Sequence, residues 1–449
     1  SNEILDEDNL GAPVFIFNPI RPQDAQQLST ELRLSSNLSG DVNFQTGIYY
    51  VQSEYEITQS VHVFGPAETT PPSPDGDAGQ EINAWAVFGE VYWDITEDAR
   101  LTVGGRYTRE TKEVFIFQRV SGDSSGLLPG IWGCGNLSST EQALADAAAA
   151  AHIAAAPTPD IAAERAAALT CNDADGKDSW TEFTPRVSLD YQFNENVMGY
   201  VSWSRGFRSG GWNGRATTPT SIGPYDPETV DSYEIGIRST LFNNKLTLNA
   251  TAFRADYEDK HESTIFAFGQ ATETIVENAA QATIDGFELE MRYVPISNLQ
   301  IRASVGWTEG EYDEYLGVNR LTGMREDISD VFEFGFAPEW NYNIGIDYLY
   351  PMGDLGTLIF AANYNWADET TGNFGQPDPS GFGRNEFDDR GEADFAVTWD
   401  NRWLTVAAFV KDAFHSDNFL ATSVDVGVFW FGAVSPGRTW AIELTKTFE

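Results

Sequence analysis

The stretch FTPRVSLDYQF (residues 183–193) decides how this chain is read. Phe183, Pro185, Val187, Leu189, Tyr191 and Phe193 alternate with Thr184, Arg186, Ser188, Asp190 and Gln192. Successive side chains of a β-strand point to opposite faces, so this segment has one continuous apolar face and one that carries full charges. The same period returns in Tyr233, Ile235, Ile237 and Leu241, in Phe287, Leu289, Met291 and Tyr293, and in Tyr342, Ile344, Ile346, Tyr348 and Tyr350. An all-β protein follows, either a soluble β-sandwich with wet outer faces or a transmembrane barrel with an oily outside and a polar lumen.

Two features favour the barrel. Trp93, Trp203, Trp307, Trp366, Trp399 and Trp440 stand at strand ends, where interfacial aromatic girdles are expected. Connections also alternate between short and long. Short turns centre on Ser39-Gly40, Glu97-Asp98, Glu195-Asn196, Asn243-Asn244, Ile296-Ser297, Gly353-Asp354 and Asn401-Arg402, most with Gly, Asn or Asp. Long connections fall at about residues 62–81, 121–179, 209–227, 266–271, 314–331, 371–385 and 416–436. Short periplasmic turns and long extracellular loops are the habit of bacterial outer-membrane barrels. About 15 antiparallel strands result, from near Gln26 to Phe448. Single-chain barrels of this kind normally have an even count, so residues 1–24 are expected to be an extracellular loop segment, residues 25–449 the C-terminal part of a barrel, and the first strands to be missing.

Composition agrees. The 449 residues include 13 Trp, 17 Tyr and 29 Phe, yet mean hydropathy is −0.32. Alternation of lipid-facing and lumen-facing side chains produces that mixture. No run is apolar and long enough for a membrane-spanning helix. The formal charge of −41 argues against nucleic acid as a partner. Solvated acidic loops and a polar lumen account for it, and selection of neutral or cationic ligands is the sharper alternative.

The 121–179 insertion is the least regular segment. Its Ala-rich stretch reads as partly helical, which leaves a capping helix and partial disorder both open. It holds the two cysteines, Cys134 and Cys171. An even pair in an envelope protein suggests a disulfide, one that would restrict the unfolded chain by roughly 4 kcal/mol.

The segment TPRVSLDYQFNENVMGYVSWSRGFRSGGWNGR (184–215) resembles a strand–turn–strand segment of TonB-dependent receptors. Residues 225–259 and 278–315 resemble the next two hairpins, and WAIELTKTF (440–448) resembles the family's C-terminal sorting strand, with Lys446 interrupting its apolar face and Glu449 following the final Phe. The resemblance covers nearly all of 26–448. It implies a 22-stranded barrel of which this chain holds about 15, a plug domain and TonB box that nothing here matches, and uptake of a scarce ligand such as an iron-siderophore, vitamin or oligosaccharide. The implied partners are outer-membrane lipid and lipopolysaccharide, a TonB-type energy transducer acting through the plug, and the missing N-terminal portion of the barrel.

No catalytic constellation is legible, and His62, His152, His261 and His415 are scattered. Among ligand-binding candidates, the ascent from Arg205 into a Gly-rich loop carries Arg208, Trp212, Asn213 and Arg215, with Tyr225 beyond. An arginine pair beside an exposed Trp suits an anionic chelate or a sugar ring. The plainer account is an interfacial Trp with arginines against lipopolysaccharide phosphates. Phe374, Asn385 and Arg390 are weaker candidates. The run Asn172 to Asp178, with Asp173, Asp175 and Asp178 around Gly176, has the composition of a loop for Ca2+, although Lys177 stands where an EF-hand supplies oxygen; a solvated acidic loop is the plainer account. Two rival functions remain: a passive porin-like channel, and a structural or adhesive envelope barrel.

Overall fold

Strand follows strand, each antiparallel to the one before it. The computed structural model describes residues 2–6, 15–65, 73–118, 172–214, 223–268, 271–318, 324–372, 386–401, 403–414, 419–421, 433–434 and 437–446. In chain order the strands are β1 (Asn2–Asp6), β2 (Phe15–Ser35), β3 (Val42–Gly65), β4 (Ser73–Asp94), β5 (Ala99–Gln118), β6 (Asn172–Asn194), β7 (Val197–Arg208) and β8 (Glu228–Leu241). Then come β9 (Leu246–Phe268), β10 (Ala271–Ile296), β11 (Leu299–Val318), β12 (Arg325–Asp327), β13 (Trp340–Pro351), β14 (Thr357–Ala367) and β15 (Thr370–Thr371). The last are β16 (Glu386–Phe387), β17 (Arg390–Asn401), β18 (Leu404–Lys411), β19 (Phe419–Ala421), β20 (Ala433–Val434) and β21 (Thr439–Thr445). Two single-turn 3₁₀ segments, Ser329–Val331 and Gly353–Leu355, complete the described residues, which contain no α-helix.

One continuous meander runs β2 through β11, then β13, β14, β17, β18 and β21, fifteen strands in all. All seven short connections fall where the sequence puts them, with Arg402 of the last lying outside the described residues. Asn243 and Asn244 adopt left-handed φ values of 57° and 65°, the conformation that asparagine tolerates best after glycine.

The two faces differ as the alternation requires. Phe183 (57 %), Phe193 (61 %) and Ile235 (60 %) are exposed on the apolar face, so none of the described residues covers it there. Ala86, Thr102, Thr108 and Ser188 on the other face are buried, because the inward curve of the wall crowds its polar side. A soluble sandwich would bury the opposite face. Phe183 to Phe193 is ten residue steps, about 33 Å along the strand and roughly 25 Å along the membrane normal at the usual tilt, which is the height of the apolar band in such barrels.

Aromatic rings mark the long-connection end of that band. Phe287, Trp307 and Trp340 form one contact group, with Phe287–Trp307 centroids at 6.1 Å and Phe287–Trp340 at 5.6 Å, and Tyr342 stacks on Trp366 at 5.0 Å. On the same face Trp203 donates through Nε1 to Asp231 (3.1 Å), which also takes a two-pronged contact from Arg205.

Several expected loops are strand. Residues 2–6 pair with 20–24, and β2 begins at Phe15, so much of 1–24 is hairpin rather than loop. β6 begins at Asn172, in unbroken register from Gln118↔Asn172 to Ala99↔Tyr191, so the 121–179 connection ends earlier than expected. β3 and β4 likewise run into 62–81. Beyond the lipid both faces are wet, so the ladder continues while the apolar alternation that would betray it disappears. The Ala-rich stretch, Cys134 and Cys171 lie outside the described residues.

The extracellular ends of β9 to β11 carry a small core of their own: Ala279, Ala280, Tyr315 and Ile328, with Tyr312 and Phe332 packed against it. Tyr312 stacks on Phe334 at 4.3 Å. Burial first, then the Glu262 carboxylate that accepts its hydroxyl (2.8 Å), pushes the Tyr312 phenol far up. Asp327 accepts from the backbone N–H groups of Tyr315 and Ser329, both at 3.1 Å, and these hold its carboxyl below the usual range.

Candidate functional site

Among the described residues, two of the places that bring chemistry-bearing side chains together lie at mid-wall and at the mouth. The first is a recess of about 360 Å³ lined by Arg186, Ser188, Asp190, Met198, Tyr200, Ser202, Ser204, Ser232, Glu234 and Arg238. Register explains its depth: Arg186, Ser204 and Ser232 form one cross-strand row and Ser188, Ser202 and Glu234 the next, so small hydroxyl residues leave the wall hollow. Tyr200 donates to Glu234, and the Arg238 guanidinium lies 5.5 Å from the Tyr200 ring centre. Farther round, Arg106 sits over Tyr49 (5.3 Å) and Phe88 (5.8 Å). Each guanidinium lies within cation–π reach of its ring.

The second place is the mouth, where the connection between β7 and β8 folds back onto the wall. Gly211 and Tyr225 exchange backbone hydrogen bonds (3.0 and 2.9 Å), closing the ends of the loop on each other. That approach needs glycine: a Cβ at Gly210 would stand 2.3 Å from the Tyr225 carbonyl and 2.6 Å from the Trp180 indole. From below, Lys112 Nζ donates to the Gly210 carbonyl (2.7 Å), pairs with Glu110 (3.2 Å) and lies 5.6 Å from the Trp180 ring. Ser209 donates to the same Glu110 carboxylate.

The other side of the loop is tied to β9 and β10. The Asn213 side chain is buried and occupies both backbone groups of Val276: Nδ2 donates to the carbonyl (2.9 Å) and Oδ1 accepts from the N–H (2.7 Å). It substitutes for a neighbouring strand. Asn278 accepts from the Asp226 N–H (2.7 Å) and donates to the carbonyls of Asp226 and Asp259 (both 2.9 Å). His261, with a side chain only 1 % exposed, donates from Nε2 to the Asp226 carbonyl (2.6 Å), while its backbone N–H donates to Glu228 Oε2 (2.6 Å). Its ring meets Tyr225 edge-on at 4.9 Å. Burial pushes the Tyr225 phenol up, with Arg208 opposing and Glu228 adding; Tyr55 opposite is raised by burial and then by Tyr225.

The sequence-predicted residues therefore meet different fates. Arg208 is exposed and, among the described residues, pairs with Glu228 at 3.9 Å. Tyr225 joins it at the mouth. Trp212 is not the exposed platform expected of it: the indole lies on Gly176, where a Cβ would approach within 2.5 Å, and its buried Nε1 has no partner among the described residues. Asn213 is a fastening rather than a free ligand group. Arg215, Phe374 and Asn385 lie outside the described residues, and Arg390 opens β17 away from the mouth. Residues Asn172 to Asp178 lie in β6, in register with Gln118 to Lys112, where the turn that an oxygen cage for Ca2+ requires is absent. There Lys177 pairs with Glu113 at 2.6 Å, and among the described residues no His, Cys, Asp and Glu converge as a metal site. Sequence reasoning missed Lys112, Trp180, His261 and Asn278, which are remote from the loop along the chain, and Glu228, which follows the loop directly as one carboxylate among many; no local signal marks them.

Comparison with known proteins completes the picture. A family model described as "TonB dependent receptor-like, beta-barrel" matches residues 6–413. Among solved structures, the ferric yersiniabactin uptake receptor FyuA from Yersinia pestis superposes with a TM-score of 0.71 at 15 % identity, over 96 % of this chain and 56 % of its own. The copper transporter OprC gives 0.66 at 15 % identity, over 100 % of this chain and 61 % of its own. The ferric citrate transporter FecA in its unliganded form gives 0.61 at 14 %, over 98 % and 56 %. At such identities the likeness is one of fold, and the chain spans under two thirds of each of these proteins.

Proposed function

This chain belongs to the family of TonB-dependent receptor-like β-barrels, outer-membrane proteins of bacteria, and from that membership we propose that it forms most of the barrel of a receptor for energised uptake of a scarce ligand. The observation that carries the reading is the mouth: the described ends of the loop are fastened on both sides, with Arg208 exposed and Tyr225 half-buried beside it on the lumenal side of the wall. Such a mouth binds from outside and hands its ligand inward. The family's receptors and transporters include those for ferric and copper cargo among the structural neighbours, so a metal chelate is the first substrate class to test. Arg208 and Tyr225 would contact the ligand, with Asn213 holding the loop.

Closure of the wall needs a partner. Among the described residues Gln26 to Ser35 of β2 are paired with β3 on one edge and with no second strand on the other, β21 is likewise paired only with β18, and Leu32 (68 %) and Ile442 (67 %) are exposed there. Unpaired backbone groups in hydrocarbon cost several kcal/mol each. Both edge strands run from the long-loop side to the short-turn side, so direct pairing between them would be parallel. An antiparallel barrel closes only through an odd number of further strands, as the other strands of a 22-stranded barrel would provide. A plug domain would engage the TonB-type transducer, and the aromatic band would meet lipid and lipopolysaccharide.

The test is uptake in cells expressing the full-length protein, with and without the energy transducer. Ligand-dependent uptake that vanishes without the transducer supports the reading. Steady ion conductance of the purified protein in planar bilayers, with transducer-independent entry of small solutes, would replace it by a passive channel.

A further inference from the structure

Among the described residues only three buried side-chain polar atoms lack a partner, Trp212 Nε1, His261 Nδ1 and Glu277 Oε1, and all three belong to the mouth loop or to the β9–β10 segment that receives it. The second opens onto a chain of charges. His261 Nε2 is committed to the Asp226 carbonyl, so a neutral ring presents Nδ1 as a bare acceptor, 3.8 Å from Glu228 Oε2. The other oxygen of Glu228 faces Arg208 Nη1 at 3.9 Å. Two acceptors confront each other on one side of Glu228, and a loosely held guanidinium stands on the other.

We propose that Arg208, Glu228 and His261 form a proton-linked binding site for a soluble anion bearing a carboxylate, phosphate or sulfate group. This deepens the receptor reading above and rests on it for biological meaning, although the binding chemistry stands by itself. With His261 neutral, Glu228 cancels the charge of Arg208. Protonated, His261 gains an Nδ1–H directed at Glu228 and takes over that carboxylate. Arg208 is then free to receive an anion with two of its N–H groups. Linkage makes the effect reciprocal: an anion on Arg208 draws a proton onto His261.

The surrounding groups leave Glu228 as the partner that can answer this proton. On the strand of His261 itself, Lys260 and Glu262 pair with each other, and the Asp259 carbonyl receives Asn278. On β10, Glu277 pairs with Arg325 at 2.8 Å. From the loop, Tyr225 presents a ring and Asp226 its backbone carbonyl.

Sulfate is the probe, because its charge is constant between pH 5.5 and 8. Calorimetric titration of the purified full-length protein in nonionic detergent should show sulfate bound on the order of fivefold more tightly at pH 5.5 than at pH 8, the weight of one nearby charge at a partly exposed site. Repeating it in buffers of different ionisation enthalpy should show fractional proton uptake per sulfate. Glu228→Gln should bind tightly at both pH values, His261→Gln weakly at both, and Arg208→Gln at neither. Equal wild-type affinity at the two pH values with no proton uptake overturns the proposal, as does undiminished binding by Arg208→Gln. The wild-type proton count and Glu228→Gln decide the matter even if His261→Gln does not fold. Proton-linked sulfate binding without transducer-dependent uptake would refute the receptor reading and leave this site standing; the converse result would do the reverse.

Discussion

Replacing Asn213 by alanine should undock the mouth loop while leaving the barrel wall intact. The Asn213 side chain makes two hydrogen bonds to the Val276 backbone, at 2.9 and 2.7 Å, in a buried setting. Each is worth about 1 kcal/mol net, and backbone groups stranded without water cost about 1–3 kcal/mol more. The sum is roughly 3–5 kcal/mol of local docking energy, about 100- to 4,000-fold in the opening equilibrium. Amide hydrogen exchange followed by mass spectrometry reads it directly. Peptides covering Gly206 to Gly214 and Ala271 to Ala280 should exchange faster by that factor, and those within β6 should not change. Asn213→Asp retains the acceptor for the Val276 N–H and loses the donor, so it should fall between wild type and alanine. Unchanged exchange at Val276 and Gly211 in Asn213→Ala would show that the loop is held by something other than this pair.

Three further outcomes follow from the same geometry. Leu189→Arg puts a charge on the exposed apolar face near the middle of its band and should cost about 2–4 kcal/mol in a lipid-based unfolding assay, whereas Ser188→Arg on the lumenal face should cost much less. Asp327 has a lowered pKa in the folded lobe, so its contribution is fully present above the unfolded value near 3.9 and disappears as pH falls through the lower folded value; exchange protection of the Tyr315 and Ser329 amides should fall below about pH 4, and Asp327→Asn should show reduced protection already at pH 7. Gly210→Ala drives a methyl against the Tyr225 carbonyl and Trp180, and should open the Gly211–Tyr225 pairing, visible as faster exchange of both amides.

The amino-acid sequence by itself determined the wall. Period-two alternation at 183–193 and its repeats requires one oily and one wet face, and turn residues such as Asn243 and Asn244 punctuate it, so strand count and short-turn positions were legible without coordinates. It could not show where strands leave the lipid. β3 to β6 continue above the membrane with water on both sides, and there the pattern that reports a strand has no cause to persist. Nor could it assemble the mouth: Lys112, Trp180, Asn213, Glu228, His261 and Asn278 come from five strands and one loop, and meet only because a cross-strand register places them side by side. Alternation is a local property, fixed by neighbours two residues apart. A binding site gathered across strands depends on register and on a loop's return path, which the tertiary structure alone decides.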